Sequence, residues 1–99
     1  ADAGTIARGE SLFESSGCLG CHNGDLFTNN ALVNVGTNGL FKVPSLRGIA
    51  SGAPYMHTGC AATLHDRFSV ACGGGDLHGN TSPLTPTQVD DLVAYLESL

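Results

Sequence analysis

Hydrophobic residues keep a helical rhythm at the two ends of this chain and lose it between them. Near the C-terminus Val89, Leu92, Val93 and Leu96 stand at i, i+3, i+4 and i+7, the stripe of an amphipathic helix. Thr85-Pro86-Thr87-Gln88 opens that stretch as a capping box, with proline at the first helical position, where its missing N–H costs nothing. A second helix is predicted over Thr5 to Ser15, with Ile6, Gly9, Leu12 and Phe13 on one side and Gly17 as its stop. The last helix must bury its stripe against something. The first helix is the predicted partner, because Gly9 beside Phe13 permits close approach.

The middle of the chain is different. Asn23 to Gly39 is rich in Gly, Asn and Thr, with short apolar islands at Leu26-Phe27 and Ala31-Leu32-Val33. It predicts an ordered loop with turns at Asn29-Asn30 and Asn38-Gly39. A short helix is predicted from Leu64 to Ala71, capped by Thr63 and ended by Gly73-Gly74-Gly75. No internal repeat, low-complexity tract or membrane-length apolar run interrupts this plan. One all-α domain, residues 1–99, is expected. The 14 glycines in 99 residues are about twice the average share of ~7%. Such an excess suggests loops wrapped closely around something, and a chain this short often needs a staple to supplement its core.

Cys18-Leu19-Gly20-Cys21-His22 names the staple. Two cysteines three positions apart, followed at once by histidine, form the attachment signature of c-type haem. Both thiols add across the porphyrin vinyl groups, and His22 is then placed to ligate iron from the proximal side. A zinc knuckle would bring a second close ligand pair, and a thioredoxin-like redox pair would need a βαβ setting; the chain offers neither. One covalent haem c per chain, with the Asn23–Gly39 loop covering one haem edge, is the expectation. Attachment of this kind implies the periplasm or an equivalent space, and the start at Ala1-Asp2-Ala3-Gly4 reads as a mature form with its signal peptide removed. In that oxidising setting Cys60 and Cys72 are expected to pair with each other, which leaves no odd cysteine. The competing arrangement makes one of them a thiolate ligand to iron or a free thiol.

Nine acidic and four basic residues give a net charge of −5. Nucleic acid and anionic membrane surfaces are therefore poor partners, and a protein with a basic docking patch is a better one.

Function turns on the groups that flank the iron. A haem-ligating histidine usually donates its free ring N–H to a carbonyl, and the Pro44 carbonyl is the expected acceptor for His22. For the opposite face the candidates are Met56, His57, His65, His78 and Cys72. Met56 is the sole methionine and lies in the turn-rich segment Gly52–Gly59, so it is the favoured sixth ligand, with His78 in Asp76-Leu77-His78-Gly79 as the main rival. A thioether ligand raises the reduction potential relative to a second histidine. Arg47 and Lys42 are candidates for the haem propionates.

These residues resemble those of a known group. The order helix, Cys-x-x-Cys-His, loop, ligand loop and C-terminal helix is similar to class I cytochrome c. More narrowly, Cys21-His22-Asn23-Gly24, Leu26-Phe27-Thr28-Asn29-Asn30, Phe41-Lys42-Val43-Pro44-Ser45-Leu46-Arg47, Ala53-Pro54-Tyr55-Met56-His57 and Asp91-Leu92-Val93-Ala94-Tyr95-Leu96 resemble the C-terminal haem domain of bacterial dihaem cytochrome c peroxidases and MauG-like proteins. The resemblance implies the class I cytochrome c fold and an electron-transfer haem. The peroxide-reacting half of those proteins has no counterpart in a chain with one haem motif. In the dihaem peroxidases the axial methionine would fall near Cys72, where this chain has none, so either Met56 or His78 takes the iron. The resulting expectation is a soluble monomer, not an enzyme, that shuttles single electrons between a transient redox donor and acceptor. Its rivals are a haem enzyme or ligand binder with a labile distal site, and a relay domain of a larger oxidoreductase.

Overall fold

The computed structural model describes residues 2–36, 39–69, 72 and 76–99. Helix α1 runs Ala3–Ser15. It starts two residues before the predicted helix because Asp2 caps it: Asp2 Oδ1 accepts from the Thr5 amide at 2.7 Å. That hydrogen bond holds the Asp2 carboxyl below its ordinary pKa. Helix α2 runs Pro86–Glu97 and carries the predicted capping box in full. Thr85 Oγ1 accepts from the Gln88 amide at 3.2 Å, and Gln88 Oε1 accepts from the Thr85 amide at 2.9 Å.

The two helices pack on each other, as the stripe of α2 requires. Phe13 and Leu92 are fully buried, joined by Val93, Tyr95 and Leu96. Each such side chain contributes about 2 kcal/mol by leaving water. Gly9 makes the crossing possible: a Cβ there would lie 2.1 Å from the Asp91 carbonyl oxygen and 2.6 Å from Tyr95 Cβ. Phe13 and Tyr95 then meet with ring centroids 5.4 Å apart. Beside them the buried Asp91 carboxylate receives Arg8 Nε at 3.0 Å, so α2 places no unpaired charge in the contact.

Between the helices the chain is mostly turns. One feature departs from the all-α expectation: strands β1 (Leu32–Val33) and β2 (Phe41–Lys42) pair antiparallel, Leu32 opposite Lys42 and Val33 opposite Phe41. Two residues per strand carry too little alternation to stand out in a sequence. Tyr55 and Ala61 form an isolated bridge that closes the segment containing Met56. The predicted short helix is a 3₁₀ turn, His65–Phe68, with Thr63 Oγ1 accepting from the Asp66 amide at 3.2 Å. Its expected end at Val70-Ala71, the Gly73–Gly75 stop and Asn38 of the Asn38-Gly39 turn lie outside the described residues. Cys60 and Cys72 form a disulfide, Cα–Cα 5.8 Å, which removes the thiolate alternative for both. No helix among the described residues is long and apolar enough to cross a membrane.

Candidate haem site

The attachment motif begins where α1 stops. Gly17 turns the chain at φ 84°, a left-handed conformation that costs glycine little. A 3₁₀ turn over Cys18–Gly20 follows, and the His22 amide donates to the Cys18 carbonyl at 2.9 Å. Asn23 Nδ2 closes the turn by donating to the Leu19 and Gly20 carbonyls. Neither Cys18 nor Cys21 is in a disulfide, so both thiols remain for thioether formation.

His22 is buried, and burial pushes its pKa down. Its Nδ1 lies 3.0 Å from the Phe27 carbonyl oxygen. A carbonyl can only accept, so Nδ1 carries the proton and Nε2 is left with its lone pair for a metal. The acceptor is thus the Phe27 carbonyl and not the expected Pro44 carbonyl, because the 23–28 turn folds back onto the ring; the Pro44 backbone only offsets part of the fall in the His22 pKa, behind Phe27. Phe27 holds φ 55°, an uncommon conformation for a non-glycine residue. The surrounding polar contacts hold it there. The Phe27 amide donates to the Gly24 carbonyl at 3.1 Å, Ser45 Oγ donates to the Leu26 carbonyl at 2.5 Å, and Arg47 Nε donates to the Asp25 carbonyl at 2.7 Å. The Arg47 guanidinium also lies 4.9 Å over the Phe27 ring. Arg47 thus clamps the loop that presents a carbonyl to His22. Nothing in the sequence marks Phe27 for this task, because a backbone carbonyl has no residue signature.

On the other side the chain returns at His78. Its ring centroid lies 6.3 Å from that of His22, with the planes tilted by 35°. The Asn80 amide donates to the Ser16 carbonyl at 2.8 Å, which ties this segment to the entrance of the attachment motif. Gly79, at φ 77°, passes so close that a Cβ would stand 3.3 Å from the Ser16 carbonyl oxygen and 3.7 Å from Cys18 Sγ. Burial pushes the His78 pKa down to about 4, with the charges of Arg67 and then His22 adding to it. His78 is therefore a neutral imidazole at pH 7, the form that ligates metals. Arg67 Nη2 donates to the His78 carbonyl.

The other candidates fall elsewhere. Met56 is partly buried, packs against the core cluster around Tyr55 and Leu64, and holds φ 67°. His57 stacks on Phe41 at 3.8 Å. His65 Nε2 meets Asp90 Oδ1 at 2.9 Å. Lys42 is on β2, whose two residues are exposed.

The residues fit a haem. Two imidazoles sharing one metal, each about 2 Å from it with the ring centre roughly 1 Å further back, have centroids about 6 Å apart. The His22–His78 spacing is that distance. His78 Nδ1 and Arg67 Nη1 are buried without a hydrogen-bond partner among the described residues, which is the mark of a polar group waiting for something the polypeptide alone does not supply.

A cytochrome c family model matches residues 6–99. The chain belongs to the cytochrome c family. It carries covalently attached haem c, as the motif predicts. The gamma subunit of hydrazine synthase from Kuenenia stuttgartiensis is 41% identical over 59 residues, covering 60% of this chain and 17% of the subunit. Cytochrome-c peroxidase IdrP1 of Denitromonas iodatirespirans is 27% identical, covering 93% of this chain and 39% of the peroxidase. A structure of Kuenenia stuttgartiensis hydrazine synthase under xenon pressure superposes with a TM-score of 0.87 at 28% identity, over 96% of this chain and 46% of that one. The resemblance to the peroxidase group is borne out, and the fold is that of class I cytochromes c. The chain spans well under half the length of the curated relatives it matches. Those relatives are an enzyme and an enzyme subunit, which weighs against a flat reading of this chain as unconnected with catalysis.

Proposed function

We propose that this cytochrome c is a one-electron carrier whose haem is gripped by His22 on the proximal side and His78 on the distal side. One observation carries the proposal: the two rings stand 6.3 Å apart, the spacing that a shared metal requires. Cys18 and Cys21 supply the thioether links. When bound, the haem supplies a reversible one-electron couple. Phe27 orients His22 by holding its Nδ1 proton, with Pro44 assisting, and so presents Nε2. Gly79 and Asn80 anchor the His78 segment against Ser16 and Cys18. With His22 and His78 both engaged, no position would remain for oxygen or peroxide, and the bound haem would supply electron transfer rather than substrate binding. We assign Met56 to core packing. Arg47 is proposed to serve a propionate through the terminal nitrogens that Asp25 does not engage.

The carrier shuttles electrons between larger redox proteins in the periplasm. Its charge of −5 favours a basic partner, and redox encounters are small and brief. A second reading makes the domain the built-in relay of a larger oxidoreductase. It is favoured by the enzymatic relatives, of which this chain covers 17% and 39%.

The test is the ferric spectrum. His78→Ala is expected to convert the iron from low to high spin and to admit cyanide or carbon monoxide rapidly. Met56→Ala is expected to leave the spectrum unchanged. Loss of an iron–thioether band in Met56→Ala, with His78→Ala unchanged, would return the distal site to Met56.

A further inference from the structure

Arg67 lies beside the haem site, and neither the attachment motif nor the axial pair accounts for it. It sits in the 3₁₀ turn His65–Phe68, inside the loop that the Cys60–Cys72 disulfide closes. Its Nη2 donates to the carbonyl of His78, the proposed distal ligand. Its Nη1 is buried without a partner among the described residues. The guanidinium carbon lies 4.7 Å over the Phe68 ring. The two ion pairs among the described residues are Arg8 with Asp91 and His65 with Asp90, so no protein carboxylate among them is paired with Arg67. Its positive charge lowers the pKa of Cys18, His22 and His78 alike.

A half-buried guanidinium with one nitrogen cut off from water and from any partner is costly, because water solvates it far better than a protein interior does. It cannot escape by losing its proton, since arginine stays charged in proteins. Such a residue is therefore expected to act through its charge. In a low-dielectric setting a fixed positive charge opposes the extra positive charge that iron acquires on oxidation, so it favours the reduced state. A haem held by two histidines is otherwise biased toward low potential, because it lacks the thioether that would raise it.

We propose that Arg67 is a positioning and potential-setting residue: its fixed cation raises the reduction potential of the haem while its bond to the His78 carbonyl holds the distal ligand segment. This rests on the axial pair proposed above. Arg67 touches neither substrate nor iron; it works through His78 and through space.

The experiment compares Arg67→Gln and Arg67→Lys in the haem-loaded protein by redox titration, with the ferric spectrum recorded for each. Arg67→Gln keeps a donor and removes the charge. It is expected to lower the reduced-to-oxidised ratio at a fixed poise at least tenfold, which is 59 mV for a one-electron couple, with the low-spin spectrum retained. Arg67→Lys keeps the charge and is expected to stay within threefold of the wild type. A potential unmoved in Arg67→Gln, or an equal fall in both variants, would overturn the proposal, because a purely structural role does not distinguish charge from shape. If Arg67→Gln fails to hold haem, Arg67→Met, neutral and of similar length, replaces it in the comparison. A tenfold fall in Arg67→Met with Arg67→Lys within threefold supports the proposal, and equal potentials in the two overturn it. His78→Ala keeps the two claims apart. An unchanged spectrum there sinks the axial assignment, while the Gln and Lys pair still reads the effect of the charge.

Discussion

The α1–α2 pair and the loops between Cys18 and Thr81 solve the same problem by different physics. The helices are capped by side chains at their starts and share an apolar contact built on Phe13, Leu92, Val93, Tyr95 and Leu96. The loops expose much of their apolar surface: Leu26, Leu32, Leu40 and Leu77 are each more than 60% accessible. What orders them is polar. Thr28 Oγ1 donates to the Val43 carbonyl at 2.6 Å, Ser45 and Arg47 reach the carbonyls of Leu26 and Asp25, and the Asn29 and Asn34 side chains accept from amides two residues on. Glycine at φ above 60°, as at Gly24, Gly48 and Gly79, supplies the turns. Helix packing stabilises through area and tolerates a range of side chains. Loops held by single hydrogen bonds place individual atoms, such as the Phe27 carbonyl, to within the tolerance that a metal ligand needs.

That contrast predicts unequal responses to mutation. The largest loss is expected from Gly9→Ala, because the added methyl would meet backbone at 2.1 Å and the helices would have to separate. A stability loss of about 3 kcal/mol is expected from overpacking, read from denaturant unfolding. A loss under about 1 kcal/mol would show that the helix contact is looser than the structure indicates. Replacing both Cys60 and Cys72 by serine opens a 12-residue closure in the loop half and is expected to cost roughly 3 kcal/mol at most. Unlike Gly9→Ala it should act locally. Faster cyanide binding to the ferric protein is the expected companion, since the closed segment carries Arg67 and leads into His78. An unchanged binding rate would separate the disulfide from the distal ligand. The smallest effect is expected from Thr85→Ala, which removes one side-chain cap from α2 for about 1 kcal/mol. The haem spectrum and potential should not move. A spectral shift there would show that the helix pair and the ligand loops are less independent than proposed.

Charge should sharpen the comparison from outside. Electron transfer with a basic partner is expected to slow as salt is raised through the range where the Debye length falls from ~10 Å toward ~3 Å. Salt-independent rates would exclude steering by the acidic surface.

The legible parts of this chain are those encoded over short separations. A capping box needs four residues, a helical stripe eight, and Cys18-Leu19-Gly20-Cys21-His22 five, so the two helices and the covalent haem can be read without knowing where the chain goes next. The Gly9 contact was legible too, since only a residue without a side chain lets helices approach so closely. The hairpin of β1 and β2 was not, because two-residue strands have no period to detect. In the sequence His78 is only a rival to Met56, and its proposal as distal ligand rests on packing: both lie in glycine-flanked turns, and a turn does not reveal which way its side chain faces. The hydrogen bond from Asn80 to Ser16 and the close pass of Gly79 against Cys18 settle where that segment lies. Local pattern therefore determines which elements form and where the haem attaches. The return of a distant loop, with Arg67 bonded to the His78 carbonyl, is decided by packing alone, because contacts between remote residues depend on the whole path of the backbone between them.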